Sequence, residues 1–144
     1  MTAETPAATA FIDSNVWLYA FIDGQDRRKT VVARQVIQTP ATIFVSTQVI
    51  NEVAVQLIKR ETFTEPQTRA VVSDFYRRFT VIELNLAILL AASELREQYQ
   101  LSFWDGFIVA CALASGATTL YSEDMHHGLR IQGRLTVVNP FTSP

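Results

Sequence analysis

The chain has 144 residues, 49% of them hydrophobic and 18% charged, with a formal net charge of −2. This composition excludes a disordered chain, suits one globular domain with one core, and argues against a strongly basic nucleic-acid binder. A metal-loaded acidic site can nevertheless offset a missing basic surface locally. Cys111 is the only cysteine, so neither an intrachain disulfide nor a thiolate zinc site is possible.

Residues 1–9, rich in Ala and Thr, lack the basic start and apolar run of a secretory signal. They are expected as a flexible tail ahead of a single domain, 10–144. The most apolar windows, around Leu84–Ala92 and Phe103–Ala114, are too short or too polar at their flanks to span a bilayer. A soluble, cytoplasmic protein with no membrane partner is the expectation.

In chain order, Ala10-Phe11-Ile12 is an apolar strand that stops at Asp13-Ser14-Asn15 and opens into a helix ending near Phe21. Asp26 caps a helix over Arg27–Gln38, which Pro40 ends. Thr42–Ser46 is a β-branched second strand. Ser46 or Thr47 caps a helix to about Arg60, with an apolar face at i, i+3, i+4 spacing and a polar stripe of Gln48, Glu52 and Gln56. Thr64-Glu65-Pro66 opens the next helix, which ends at Arg77-Arg78. Phe79–Leu84 is a third strand, and Asn85 caps a helix to about Tyr99. Ser102 caps another helix, Phe103–Ser115, with Gly116 past its end. Thr118–Tyr121 and Leu135–Val138 are the fourth and fifth strands. Strands alternating with helices predict a three-layer α/β/α sandwich around a central, mainly parallel, five-stranded sheet.

Four acids fall where a solvated surface charge has little reason to be. Asp13 and Asp124 each follow a strand and a hydroxyl-bearing neighbourhood, in Asp13-Ser14 and Ser122-Glu123-Asp124. Glu52 lies in the early turns of the helix after the second strand. Asp105 lies in the first turn of an apolar helix. Each alone has an ordinary explanation: a cap for Asp13, a solvent-facing stripe for Glu52, a capping-box acid for Asp105, a polar loop for Asp124. Together they project to the carboxyl edge of one sheet, where α/β folds bind ligands. Clustered carboxylates need compensating charge, and hard divalent cations such as Mg²⁺ or Mn²⁺ take oxygen donors of this kind. Such a site can activate water and stabilise displacement at phosphorus.

Three segments carry a resemblance. Phe-Ile-Asp-Ser-Asn-Val-Trp-Leu-Tyr-Ala at 11–20, Ser-Phe-Trp-Asp-Gly-Phe-Ile-Val-Ala at 102–110 and Leu-Tyr-Ser-Glu-Asp-Met at 120–125 resemble the PIN-domain ribonucleases, and within them the VapC-type toxins of bacterial toxin–antitoxin pairs. Asn51-Glu52 matches the family's helix acid, and the likeness runs over about 10–140. It implies a metal-dependent endoribonuclease, the toxin of a type II pair that inhibits translation. On that resemblance Asp13, Glu52, Asp105 and Asp124 are the catalytic and metal-binding acids, and Ser14, Asn15, Ser122 and Glu123 support them. It also implies Mg²⁺ or Mn²⁺, an RNA substrate, a homodimer, and an antitoxin whose tail lies near the site. Gly106 departs from the alanine more usual in the family after the acid and is expected to loosen the helix slightly.

Arg27, Arg28 and Lys29 are candidate RNA contacts, with Lys59-Arg60 and Arg77-Arg78 as lesser ones. Trp17 and Trp104 each flank an acid and are expected in the core, with base stacking as the alternative. His126-His127 is expected to decorate a loop, and Cys111 to be a core thiol. A phosphotransfer receiver needs an Asp where Leu84-Asn85 stands, an aspartate-nucleophile phosphatase needs one at Asn15, and a dinucleotide fold needs glycines after strand one. The remaining alternative is a catalytically silent module of the same fold that binds RNA or a protein.

Overall fold

The computed structural model describes residues 8–142. The tail expected at residues 1–9 lies mostly outside the described residues, but Thr9 already belongs to the first strand. The elements run β1 (Thr9–Ile12), α1 (Ser14–Phe21), α2 (Arg27–Gln38), β2 (Thr42–Ser46), α3 (Thr47–Glu61), α4 (Glu65–Arg78), β3 (Thr80–Ile82), α5 (Leu86–Tyr99), α6 (Phe103–Ser115), β4 (Thr119–Tyr121), β5 (Arg130–Ile131) and β6 (Leu135–Val138).

Local chemistry sets the helix starts. Asp26, Ser46, Asn85 and Ser102 each accept the N–H of the residue three further on, satisfying an otherwise orphaned donor. Thr64 and Gln67 form a reciprocal capping box at α4. Gly116 ends α6 at φ 79°, a left-handed conformation that glycine adopts without a Cβ clash.

The sheet has six strands in the order β3-β2-β1-β4-β6-β5. All neighbours are parallel except β5–β6. The strand beyond the expected five is β5, a two-residue antiparallel edge whose Ile131 is buried. It is too short to leave a period-two pattern. β3 is also shorter than Phe79–Leu84. Phe79 instead ends α4, its ring 4.9 Å from that of Trp17.

Helices α5 and α6 pack together, with α6 against β1, β2 and β3; α1 to α4 form the other contiguous group. The result is the three-layer sandwich. Its core includes Phe11, Trp17, Val45, Leu57, Phe75, Leu95 and Leu120, all essentially inaccessible. The chain winds outward from β1 through β2 to β3 and then returns to place β4 on the other side of β1. The crevice at the carboxyl ends of β1 and β4 is thus the point where strand order reverses, the usual ligand position in open α/β sheets.

Candidate active site

Asp13 stands in that crevice, one residue past β1 and only 6% exposed. Its Oδ1 accepts the Ser14 N–H at 2.7 Å, and its Oδ2 accepts the Ser122 hydroxyl at 3.0 Å. Asp13 is therefore the N-cap of α1 as well as a site acid; Ser14 and Asn15 lie in the helix and do not take over the cap. Burial pushes the Asp13 carboxyl up to about 6. The bonds from Ser14 and Ser122 pull it down, and the charges of Glu52 and Asp124 raise it again.

Glu52 and Asp124 reach it through short polar links. Ser14 Oγ donates to Glu52 Oε2 at 2.7 Å, joining α1 to α3. Asn15 Nδ2 donates to Asp124 Oδ2 at 2.9 Å, joining α1 to the loop after β4. Ser122, wholly buried, also accepts the Asp124 N–H at 3.3 Å. Asp124 is held above the ordinary carboxylate range by partial desolvation, then by the charges of Glu123 and Asp105. Asp105 sits in the first turn of α6, half-buried and close enough to act on Asp124. The structure thus links Asp13, Glu52 and Asp124 at one crevice through Ser14, Asn15 and Ser122, with Asp105 acting on Asp124 from the start of α6.

Glu123 faces elsewhere. It pairs with Lys29, and Tyr19 donates to its Oε1 at 3.2 Å. That pairing raises the Lys29 ammonium above its usual range. Arg28 Nη2 donates to the Phe141 carbonyl at 2.7 Å, while Arg27 is exposed. Two of the three basic residues at 27–29 are therefore engaged within the domain. Arg60 is different: it lines the grooves running from Ser14, Asn15 and Glu52 to Tyr19 and Glu123, and donates to Gln25 at 2.9 Å. Arg60 lies eight residues, about two turns, beyond Glu52 on the same helix, and it continues the polar stripe of Gln48, Glu52 and Gln56.

His126 and His127 are exposed loop residues; His127 Nδ1 accepts the Asn139 N–H at 3.0 Å. Cys111 is buried, and burial pushes its thiol up to about 11, which keeps it unreactive. The two tryptophans separate: Trp17 is 0% exposed with its N–H on the Ile12 carbonyl at 3.1 Å, whereas Trp104 is 62% exposed.

The donors fit a hard divalent cation in chemistry and charge. They are oxygens throughout, and among the described residues none of the four acids has an ion-pair partner. Among those residues, no three acidic or histidine side chains are already gathered closely enough to enclose an ion. The fit rests on the uncompensated charge and the donor set.

The fold and site define the class: a small, mainly parallel α/β domain with acids at its switch point. The sequence model of the PIN domain matches residues 10–128, and the chain belongs to that family. Solved structures agree in fold. A toxin–antitoxin complex from Klebsiella pneumoniae has 26% identity, a TM-score of 0.69, and covers 92% of this chain and 98% of its own. Mycobacterium tuberculosis VapC20, a toxin that cleaves the sarcin–ricin loop, has 20% identity, a TM-score of 0.64, and coverage of 80% and 89%. VapBC2 from Rickettsia felis, bound to a promoter DNA fragment, has 20% identity, a TM-score of 0.61, and coverage of 90% and 96%. No curated protein matches the chain.

Proposed function

We propose that this PIN domain is a Mg²⁺- or Mn²⁺-dependent endoribonuclease, the toxin of a type II toxin–antitoxin pair that inhibits translation by cutting RNA in the cytoplasm. One observation carries the reading: Asp13, Glu52 and Asp124 are tied to one crevice through Ser14, Asn15 and Ser122 with no ion-pair partner among the described residues, and buried Asp13 is raised to about 6. A carboxylate cluster in that state is paired with a cation supplied from outside.

Asp13, Glu52, Asp105 and Asp124 are the groups that hold the ion. When bound, it neutralises the carboxylates and supplies Lewis acidity toward water and phosphate. Ser122 and the Ser14 N–H fix Asp13, so one carboxylate orientation is set before any ligand arrives. Ser14 and Asn15 hold Glu52 and Asp124 toward the crevice. Lys29 pairs with Glu123 and partly offsets the charge that Glu123 places beside Asp124, making Glu123 a supporting residue. Arg60 along the groove, with exposed Arg27, supplies phosphate contacts on this reading.

The similar solved toxin–antitoxin assemblies support an antitoxin partner. The apolar groove of Phe21, Leu57, Phe63, Val71, Phe75 and Phe79 supports a place for its tail. Exposed Leu86, Leu89 and Leu90 on α5 support a homodimer. Among the described residues no helix is long and apolar enough to cross a membrane.

The test is RNA cleavage by purified protein freed of antitoxin, over a panel of tRNA and rRNA with Mg²⁺ or Mn²⁺. Cleavage that EDTA and Asp105→Asn both abolish is the expected result. Cleavage by Asp105→Asn at the wild-type rate overturns the four-acid site. Binding of RNA or protein with no turnover under any metal favours a silent module.

A further inference from the structure

Trp104 precedes Asp105 in the first turn of α6 and leaves most of its ring in solvent, although the core beneath is closed. The ring lines an open hollow together with Leu84 and the start of α3, from which come Thr47, Gln48, Asn51 and Glu52. Glu52 is shared between this hollow and the acid crevice. The hollow therefore opens directly beside the proposed point of cleavage.

Its lining selects among the parts of a nucleotide. No basic side chain lines it and one carboxylate does, so a phosphate is repelled. Trp104 and Leu84 offer apolar faces, and Gln48 and Asn51 offer amides that both donate and accept. Gln48 Oε1 is the one buried side-chain oxygen or nitrogen without a hydrogen-bond partner among the described residues, and the Gln48 Nε2 contact to Glu52 is long, at 3.5 Å. A buried amide oxygen left unpaired is costly, and it gains a bond by turning toward a donor in the hollow. A planar, uncharged group with an apolar face and a hydrogen-bonding edge meets these demands together.

Building on the ribonuclease reading, we infer that this hollow receives one unstacked nucleobase of the RNA next to the scissile phosphate. Trp104 is the stacking platform, and Gln48 and Asn51 read the base edge. Aromatic stacking on single-stranded RNA is worth about 1–3 kcal/mol per base, roughly a five- to hundred-fold change in affinity.

The experiment uses the full chain and a single-stranded oligoribonucleotide cleaved by the wild type. Trp104→Ala should raise KM roughly five- to a hundred-fold with a smaller change in kcat, and Trp104→Phe should recover most of the loss. In EDTA, where no cleavage occurs, the oligonucleotide should quench wild-type tryptophan emission, while Trp104→Phe, which retains only Trp17, should show no quench. Gln48→Ala should change which base is preferred beside the cut. A wild-type KM in Trp104→Ala overturns the subsite and leaves the nuclease reading standing. So does a Trp104→Ala defect that tracks a fall from dimer to monomer in sedimentation and is cured by raising protein concentration, because the ring's partner is then a second copy. A wild type that neither binds nor cleaves any RNA in the panel overturns both readings.

Discussion

The Ser122 hydroxyl donates to Asp13 Oδ2 at 3.0 Å across 109 residues of sequence, binding the end of β4 to the end of β1. Both side chains are buried, so this bond is made away from competing water. Ser122→Ala removes the one donor to Oδ2, leaving the Ser14 N–H and its longer hydroxyl contact on Oδ1. The cost at neutral pH should be about 1–3 kcal/mol, the usual penalty for stripping a partner from a buried acceptor. Chemical denaturation checks this. Because that bond lowers the Asp13 carboxyl, its loss should also move the acid limb of any pH–activity profile to higher pH.

Asp13 makes stability depend on pH with a definite sign. Its folded carboxyl, at about 6, lies above the ordinary 3.8, so the native state binds the proton more tightly than the unfolded chain does. The stabilising contribution of the protonated form is complete below the unfolded value. It is lost as pH rises through the folded one, by about 3 kcal/mol for a shift near two units, and is flat above that. Wild type should therefore lose stability relative to Asp13→Asn between about pH 4 and pH 7. Urea titrations of both proteins across that range give the slope. A wild-type stability that stays level with that of Asp13→Asn, or rises relative to it, as pH increases contradicts the buried-carboxylate geometry.

Metal should reverse that penalty. With Mg²⁺ at a hundred times its dissociation constant, the folded state gains about 2.7 kcal/mol by mass action alone. The gain should be larger at pH 7.5 than at pH 5, because protonated Asp13 is a poor ligand. It should vanish in Asp13→Asn/Asp124→Asn. Thermal melts with and without MgCl₂, with CaCl₂ as a second hard cation, check the expectation without relying on turnover.

Gly106→Ala should destabilise the fold, although alanine is the better helix former by about 1 kcal/mol. A Cβ at position 106 meets Arg96 Cγ at 2.6 Å and the Ala92 carbonyl at 3.1 Å. Helices α5 and α6 are therefore in close contact where Asp105 is presented. Arg96 also lies over the Phe103 ring at 4.4 Å, so a shift of Arg96 disturbs the start of α6 as well. A net loss of about 1–2 kcal/mol, after the propensity gain, is the expected balance for this degree of overpacking. Calorimetric melting of the single variant measures it. The glycine read in the sequence as loosening α6 is, in the fold, what lets α6 approach α5.

Much of the architecture was legible because its causes are local. The caps at Asp26, Ser46, Asn85 and Ser102 act over three residues, and the apolar spacing of α3 is visible within its own span. The capping box of Thr64 and Gln67 is equally local and went unread. Strand β5 was missed because two residues carry no periodicity. Lys29 was grouped with its basic neighbours because nothing nearby points to Glu123, 94 residues away.

By itself, then, the sequence determined the alternation of strands and helices, the caps, and the position of an acid just beyond or just inside four elements. Those follow from side-chain-to-backbone bonds and hydrophobic period, which act within a few residues. The tertiary structure alone decided that β4 returns beside β1, that Ser14, Asn15 and Ser122 tie the acids together, and that Trp17 is buried while Trp104 stands open. Parallel strand pairing and helix approach depend on how the whole chain buries its apolar surface, and no local preference encodes which distant partner a side chain will meet.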